Sequence, residues 1–310
     1  MSDSLRLSVP DFDDPWQREA FFDVAAAAID VDGHDPFNEQ ARLDVESGRR
    51  SPIIVTLWPG ESAAALVRPV GAAILGRGEL DFVIDPLFRG KGYGELAARG
   101  LLATARGTLT AWSNGDHPAA KLLAERHGFT PVRALIHLAA TLDEGMTRPG
   151  TDTLPDGFSL GPMRPGDEQE WVDLNARIFD THPEQGRLTV DDLHARQAEP
   201  WFDAGDALLL RDASGRLVGY GWVKIEPGAT EGALYVLGVD AALTDRGLGR
   251  QLLRAALARL VERGCTVAGL SVEADNEPAV HLFRALGFQE QTIDVQYRRA
   301  SDPGDPFIHS

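Results

Sequence analysis

A hydrophobic run, a glycine turn and a helix-forming segment follow one another in the second half of this chain, and that order leaves few folds open. The run is residues 234–240, the turn contains Gly247 and Gly249, and the helix-forming segment is residues 251–263. The first turn of a helix has unpaired backbone N–H groups and the positive end of the helix dipole. Glycines also let a bulky phosphate approach the backbone. This stretch therefore predicts an anion site suited to a diphosphate.

The same order of elements occurs in the first half of the chain. Residues 81–85 form a hydrophobic run, Gly92 and Gly94 form the turn, and a helix is predicted over residues 95–106. Gly94 lies half of the 310-residue chain away from Gly249. Each copy is followed by a predicted strand, a helix and a Gly-Phe step. A repeat of this length predicts a duplicated domain and not a solenoid of short repeats.

Two other interpretations of the glycine turns stay open at this point. Paired glycines also occur in irregular strand-to-helix turns that have no ligand. The segment from Gly92 to Ala97 fits a dinucleotide-binding fingerprint as well, although in that fingerprint the turn follows the strand directly. Here residues 86–91 intervene, and Leu252 occupies the third glycine position of the second copy.

Charge and cysteine content narrow the classes of function. A net charge of -17 and an isoelectric point near 4.8 argue against nucleic acid or an acidic membrane as a partner. The single cysteine, Cys265, excludes an internal disulfide and fits a reducing cytoplasm. Residues 1–14 lack the apolar core of a secretion signal, and no run approaches the ~18 apolar residues of a membrane span. We expect a cytoplasmic monomer that binds small molecules.

The predicted elements form two similar sets, which defines the domain organisation. Residues 143–157 contain glycines and prolines without periodicity, and we interpret them as a linker. The N-terminal domain is then 1–142, the C-terminal domain is 158–300, and 301–310 is a tail. The predicted fold class is α/β (α+β), with a mixed, mostly antiparallel sheet flanked by helices in each domain.

The stretch from Arg89 to Gly94 reads Arg-Gly-Lys-Gly-Tyr-Gly and resembles the acetyl-CoA-binding motif Arg/Gln-x-x-Gly-x-Gly of the GNAT N-acetyltransferase superfamily. The second copy has Thr244 where arginine or glutamine is usual. The resemblance implies that acetyl-CoA binds each domain, with its pantetheine arm between the motif strand and the next strand. In the first copy it assigns these contacts to Phe82, Val83, Ile84, Arg89, Gly90, Lys91, Gly92, Tyr93 and Gly94. In the second copy it assigns them to Leu237, Gly238, Val239, Thr244, Asp245, Arg246, Gly247, Leu248, Gly249, Arg250 and Asn276.

Longer stretches on both halves resemble one family within this superfamily, mycothiol synthase. They include His182-Pro183-Glu184-Gln185-Gly186, Glu199-Pro200-Trp201-Phe202-Asp203, Gly221-Trp222-Val223-Lys224, Val272-Glu273-Ala274-Asp275-Asn276 and Val31-Asp32-Gly33. The resemblance implies acetyl transfer from acetyl-CoA to the cysteinyl amine of cysteinyl-glucosaminyl-inositol, which yields mycothiol. It also implies that the C-terminal domain is catalytic and that the N-terminal domain binds acetyl-CoA without turnover.

The same resemblance implies substrate contacts for Glu39, Glu184 and Lys224, which match substrate-contacting positions of the family. Each of the three could instead be a solvated surface charge. His182 has no second ligand at metal-binding spacing, so no metal is expected.

Three substitutions separate this chain from the family pattern. Ala233 occupies the position of the catalytic carboxylate, Phe283 that of the catalytic tyrosine, and Ser271 that of a substrate-side tyrosine. Side chains of a strand alternate between faces, so Glu231 shares a face with Ala233 if the motif strand extends back that far. Glu231 is therefore our candidate general base, acting through a bridging water. Tyr297 or solvent would protonate the leaving thiolate.

Two other functions stay open because the expected acid and base are missing. One is a tandem N-acetyltransferase that acts on another small amine, and the other is an acetyl-CoA-binding protein with little turnover. The two copies also differ, since His117 stands where the second copy has Asn276. In the superfamily that asparagine holds the pantetheine side, so we expect both domains to bind CoA and only the second to turn over.

Overall fold

The computed structural model describes residues 4–58, 68–143, 154–180 and 185–300, and the chain divides into two compact units. The first unit contains the residues up to Leu135 together with those from Thr292 onward. The second unit contains Ile136–Gln291. The division falls inside two strands, which are Thr130–Thr141 (β6) and Gln289–Arg299 (β12).

The first unit is a sheet with helices on both faces. Its strands besides β6 and β12 are β1 (Ser4–Ser8), β2 (Ser51–Trp58), β3 (Pro69–Gly76), β4 (Glu79–Ile84) and β5 (Leu109–Ser113). Its helices are α1 (Pro15–Asp32), α2 (Glu39–Glu46), α3 (Tyr93–Thr104) and α4 (Pro118–Arg126). The strand order is β1-β2-β3-β4-β5-β12, and within it β4 and β5 are parallel while the other neighbours are antiparallel.

Helix α1 shows how local sequence sets an element of the first unit. The side chain of the N-cap Asp14 accepts a hydrogen bond from the Trp16 amide, and Gly33 ends the helix with a φ of 77°. The buried face of the helix is Phe21, Val24, Ala25 and Ala28, and it packs against β2, β3 and β4. This end of α1 delivers Asp32 to the region of the glycine turn.

The second unit repeats this arrangement. Its strands besides β6 are β7 (Ser159–Pro162), β8 (Ala207–Arg211), β9 (Leu217–Lys224), β10 (Glu231–Val239) and β11 (Val267–Glu273). Its helices are α5 (Glu168–Ile178), α6 (Val190–Gln197), α7 (Leu248–Glu262) and α8 (Glu277–Ala285). The strand order is β7-β8-β9-β10-β11-β6, with β10 and β11 parallel.

Two apolar clusters cover the faces of the second sheet. On one face the aromatic side chains Trp171, Trp201, Tyr220 and Trp222 are buried together, and on the other Leu248 and Leu252 of α7 pack against Leu210 and Val218. Each unit therefore has a mixed, mostly antiparallel sheet flanked by helices, which confirms the predicted fold class.

Candidate functional site

The motif strand of the second unit parts from its neighbour along the chain. Strands β10 and β11 pair only from Glu231 to Leu234, opposite Val267 to Leu270, although both strands lie wholly within the described residues. A register shift between Leu234 and Val236 on the β9 side accompanies the parting. The predicted residues Leu237, Gly238 and Val239 therefore form one wall of an open gap. Backbone groups that face this gap can pair with the amides of an extended ligand.

A helix begins just after this gap and offers an anion site. Gly247 adopts a φ of 70° and is the N-cap of α7, which starts at Leu248 without a side-chain cap. Arg246 and Arg250 are exposed beside it. A Cβ on Gly249 would meet nothing closer than the Val239 side chain at 4.0 Å, so space is open in front of the helix. The side chains of Thr244 and Asp245 lie outside the described part of the structure.

The first unit has the same parting and the same turn. β4 and β5 pair at a single position, Glu79 with Thr110, within a fully described region. Gly92 adopts a φ of 84° and is the N-cap of α3, and Gly90 has a φ of 73°. Both units thus contain open strands followed by a helix N-terminus that has a left-handed glycine.

Arg89, the first residue of the motif, binds a carboxylate of its own unit. Its two terminal nitrogens donate to the Asp32 oxygens at 2.7 Å each, and its Nε donates to the Ile84 carbonyl at 2.9 Å. These hydrogen bonds are the main reason that the pKa of Asp32 lies below its ordinary value, and the nearby His117 and His34 act in the same direction. The guanidinium therefore fixes the glycine turn to the end of α1.

A cavity of about 450 Å³ lies between the parted strands of the first unit. It is lined by seven of the residues predicted to bind acetyl-CoA, namely Phe82, Val83, Ile84, Arg89, Gly90, Gly92 and Gly94. The other two predicted residues, Lys91 and Tyr93, contact neighbouring parts of their own unit. The Lys91 ammonium donates to the Leu87 carbonyl at 3.0 Å, and Tyr93 is buried at the start of α3.

Tyr297 belongs to the first unit and lines the same cavity. It packs in an apolar cluster with Leu109, Ala124 and Phe129, and it pairs with Ala111 across β12 and β5. Burial raises the pKa of its phenol, and the charges of Asp116 and Glu125 raise it further. This placement argues against the predicted role of Tyr297 as proton donor in the C-terminal domain, since β12 carries the side chain into the core of the other unit.

Glu231 begins β10 and lies on the face that we expected. Glu231, Ala233 and Tyr235 are more exposed than the intervening Gly232 and Leu234, in the alternation of a half-buried strand. The segment from Glu231 is therefore strand and not loop. The Glu231 side chain is exposed, and its role as a base stays a prediction.

Lys224 stands directly opposite Ala233 on the neighbouring strand β9. Its ammonium lies 4.7 Å from the centre of the Trp201 ring and 5.9 Å from that of Tyr235, and it pairs with the Glu226 carboxylate at 3.2 Å. The Tyr235 hydroxyl accepts a hydrogen bond from Arg196 at 2.9 Å. An ammonium held over aromatic rings opposite the small Ala233 can donate to an oxygen atom of a bound ligand.

A serine and a histidine that the sequence analysis gave no catalytic role also lie on this side of the gap. Ser271 is the first residue of β11 beyond the segment paired with β10, and its hydroxyl is hydrogen-bonded to His137 Nδ1 at 2.9 Å. β6, which carries His137, is the neighbour of β11. No local sequence signal links these two residues, because the sheet order brings them together.

The asparagine expected at the pantetheine side is a helix cap. The Asn276 side chain accepts from the Ala279 amide at 3.2 Å, and in the first unit His117 Nδ1 accepts from Ala119 at 3.1 Å. The two residues thus have equivalent positions. Phe283 packs against Phe288, with ring centres 5.8 Å apart.

Of the remaining residues that the sequence analysis discussed, one lies in a part of the chain that the structure describes and two do not. Glu39 is the first residue of α2 in the first unit, while Glu184 and His182 lie outside the described residues. Among the residues that are described, no group of His, Cys, Asp and Glu side chains could hold a metal ion. Within the same residues, no helix has the length and apolar character needed to cross a membrane.

Comparison with known proteins identifies close sequence relatives. The family model described as Acetyltransferase (GNAT) family matches residues 170–288. Over 276 residues the chain is 44% identical to the mycothiol acetyltransferase of Clavibacter michiganensis subsp. michiganensis, and 87% of each chain is covered. It is 38% identical over 304 residues to the mycothiol acetyltransferase of Salinispora arenicola, covering 96% of this chain and 98% of that one.

Solved structures agree on the fold. A GCN5-related N-acetyltransferase from Sphaerobacter thermophilus matches with a TM-score of 0.69 at 24% identity and covers 98% of both chains. A tandem GNAT protein from the clavulanic acid biosynthesis pathway matches with a TM-score of 0.71 at 20% identity, covering 97% of this chain and all of that one. At these identities the likeness shows a tandem GNAT fold and nothing about substrate.

Proposed function

This chain belongs to the mycothiol acetyltransferase family, and we propose that it transfers acetyl from acetyl-CoA to the cysteinyl amine of cysteinyl-glucosaminyl-inositol, releasing mycothiol and CoA. The structural observation that supports acetyl-CoA as the donor is the gap between β10 and β11 in front of the N-terminus of α7. The acceptor follows from the mycothiol acetyltransferase relatives, which are 38% and 44% identical to this chain. A CoA diphosphate fits the helix N-terminus beside Arg246 and Arg250, and the pantetheine arm then runs along Leu237, Gly238 and Val239.

The chemistry requires the attacking amine to be neutral. An α-amine has a pKa of ~8, so a large fraction is protonated near neutral pH and must lose a proton before attack. In our proposal Glu231 accepts this proton through one water, and the free amine attacks the thioester carbon. The new C–N bond forms as the C–S bond breaks, and the nitrogen releases its second proton to solvent to give the neutral amide. CoA leaves as a thiolate, which takes up a proton from solvent. Burying the thioester in the gap strengthens the hydrogen bonds that polarise its carbonyl.

The substrate is a polyol with one amine, so its site needs charged and polar side chains. We assign Lys224 and Glu184 to this site because they match substrate-contacting positions of the family. The same resemblance names Glu39, in α2 of the first unit, and that assignment stays a prediction. Support for Lys224 comes from its place opposite Ala233, where it is held over Trp201 and Tyr235.

We further propose that the N-terminal unit binds acetyl-CoA without turning it over. The cavity of about 450 Å³ and the left-handed glycines at Gly90 and Gly92 support binding. In this proposal the C-terminal unit catalyses the reaction. We also propose that the protein is a cytoplasmic monomer with two GNAT domains. The single cysteine supports the cytoplasmic location, because disulfides are rare in that compartment.

The test is a transfer assay with acetyl-CoA and cysteinyl-glucosaminyl-inositol, run beside a panel of small amines and followed by CoA release. The expected result is turnover of the cysteinyl substrate in preference to the panel. Turnover of the panel alone would identify an N-acetyltransferase of other specificity. Binding of acetyl-CoA without any transfer would identify a protein that binds the thioester and does not use it.

A further inference from the structure

We infer that Tyr297 recognises the acyl group of a CoA thioester in the N-terminal unit by donating a hydrogen bond to the thioester carbonyl. This unit then binds a short acyl-CoA in preference to free CoA. The inference rests on the proposed binding of acetyl-CoA by that unit. It adds a chemical reason why acyl-CoA would bind there more tightly than free CoA. The side chain comes from the end of the chain, which the sequence assigns to the other domain.

The first step of the argument is the position of Tyr297. It lies near the end of the cavity where β4 and β5 are still paired, which is the closed end of the gap. Its strand partner is Ala111, the residue next to Thr110, and Thr110 is where β5 meets Glu79 of β4. The glycine turn follows the opposite end of β4, so it lies at the open end of the same cavity. A CoA whose diphosphate lies on the turn extends its arm toward the closed end. Its thioester therefore approaches Tyr297.

The second step concerns the hydroxyl of Tyr297, on a side chain that lines the cavity. Tyr297 is 7% exposed, and its hydroxyl has no hydrogen-bond partner within the described part of the chain. The hydroxyl oxygen is not among the fully buried polar atoms that lack a partner in the described residues, so water or a ligand can reach it. A ligand that displaces water from this hydroxyl must offer it an acceptor, because a donor left without a partner is costly. The side chain lines a cavity, so a ligand that enters the cavity can supply the missing acceptor.

The charge state of the phenol makes it a donor. Burial and the nearby carboxylates of Asp116 and Glu125 raise its pKa, so the hydroxyl keeps its proton at neutral pH. A protonated phenol donates well to a carbonyl oxygen. The thioester of acyl-CoA has that oxygen, whereas the thiol of free CoA does not.

The surroundings of Tyr297 limit the acyl group to a short chain. Leu80, Ala124 and Phe129 are buried beside it in one apolar cluster. An acetyl methyl can contact this cluster, but a long acyl chain would have to displace it. The ligand class is therefore a short-chain acyl-CoA.

The experiment measures binding, so it does not depend on catalysis. A chain with Gly247→Val and Gly249→Val restricts CoA binding to the N-terminal unit, and its affinity for acetyl-CoA, CoA and S-ethyl-CoA is measured by calorimetry. We expect acetyl-CoA to bind about tenfold more tightly than the other two ligands, the effect of one lost hydrogen bond. S-ethyl-CoA is the ligand control, because it has nearly the size of acetyl-CoA and lacks the carbonyl.

Tyr297→Phe in the same background should reduce the preference for acetyl-CoA to about twofold or less and leave CoA affinity unchanged. Tyr220→Phe is the matched control, because it removes a buried hydroxyl that donates to Asn175 in the other unit. Equal affinity for acetyl-CoA and S-ethyl-CoA in the Tyr297 background would overturn the inference, as would an unchanged preference in Tyr297→Phe. Failure of all three ligands to bind would instead refute acetyl-CoA binding by this unit, and the inference with it.

Discussion

At the scale of single residues, the proposed reaction needs a group that accepts a proton from the amine, and Glu231 is our candidate. Glu231 shares its strand face with Ala233, and the small Ala233 side chain leaves room for a bridging water. Two residues of strand span ~6.6 Å, about the reach of a glutamate and one water. We predict that Glu231→Gln lowers kcat by ~10²-fold or more.

Steady-state kinetics with the cysteinyl substrate between about pH 6 and 9 test this assignment. Glu262→Gln is the control, since Glu262 is an exposed carboxylate of the same unit at the last residue of α7, where it pairs with Arg259. Its effect on kcat should be small. If Glu231→Gln acetylates at the parental rate across this range, Glu231 is not the base. The hydrogen-bonded pair of Ser271 and His137 would then be the next group to test.

The pair of Asp32 and Arg89 predicts a pH-dependent contribution to stability. Arg89 holds the pKa of Asp32 below its unfolded value, so the pair stabilises the folded state above that unfolded value. This stability is lost as the pH falls through the folded pKa. Asp32→Asn should lower the melting temperature by a few degrees at pH 7, because a half-buried bidentate pair contributes about 1 kcal/mol.

The difference in melting temperature between the parent and Asp32→Asn should shrink below about pH 4, where the carboxylate of the parent is protonated. Asp30→Asn on the same helix is the control, since Asp30 is exposed and its substitution should have little effect at either pH. A difference that does not change with pH would show that Asp32 acts through packing and not through its charge.

Single residues also show where sequence reasoning ends. The motif identified Arg89, but its partner Asp32 lies 57 positions away, and no local pattern indicates that the guanidinium is bound. The same holds for Tyr297, whose environment depends on which strand β12 joins. Lys224 was identified through the family resemblance, and the aromatic rings beneath it became visible only with the register of β9 and β10.

At the scale of elements, the two glycine turns permit a direct comparison between the units. Gly92 and Gly247 have positive φ values of 84° and 70°, which a side chain makes unfavourable. Gly94 and Gly249 have ordinary φ values, and side chains there would occupy the space in front of the helix. We predict that Gly247→Val with Gly249→Val abolishes turnover, whereas Gly92→Val with Gly94→Val leaves it largely intact.

The measurement is kcat/KM for acetyl transfer in both double variants, with thermal unfolding to establish that each remains folded. Equal losses from both pairs would contradict the division of labour between the units. Acetyl-CoA titration of each variant should also detect one binding site in place of two.

Element boundaries were predictable where turns or helix caps mark them. Strand β9 and helix α6 begin where the local sequence marks a start, because a turn precedes Leu217 and Thr189 caps the helix. Helix α7 begins at Leu248, earlier than the predicted Gln251, since only Gly247 has left-handed geometry and Gly249 is already helical. Strand β1 was missed because five residues of alternating exposure give too weak a signal.

At the scale of the whole molecule, the duplication was visible in the sequence but the pairing of strands across the chain was not. Sequence patterns report which residues form a strand, whereas the choice of neighbour depends on contacts between distant segments. The first unit includes the residues from Thr292 onward, and β12 extends its sheet beside β5. The predicted boundary at residue 142 therefore stays a prediction that an expression experiment can test.

We predict that a fragment of residues 1–142 alone does not form a stable domain. It would lack the strand segment whose Val295 to Arg299 pair with Ser113 to Leu109, which leaves an edge of β5 unpaired. It would also lose Tyr297 from the apolar cluster around Leu109 and Phe129, and burial of one such side chain is worth roughly 2 kcal/mol.

The comparison fragment joins residues 1–135 to residues 289–300 through a flexible glycine-serine linker, which restores the strand without the second unit. Circular dichroism and thermal unfolding of the two fragments should show a cooperative transition for the joined fragment and none for residues 1–142. Tyr297→Ala in the joined fragment is the control, because it should lower the melting temperature by removing the buried ring while it keeps the backbone pairing of β12 and β5. A cooperative transition of residues 1–142 at the same temperature as the joined fragment would show that the N-terminal domain is complete without β12, since neither the lost pairing nor the lost ring would then have a measurable effect on folding.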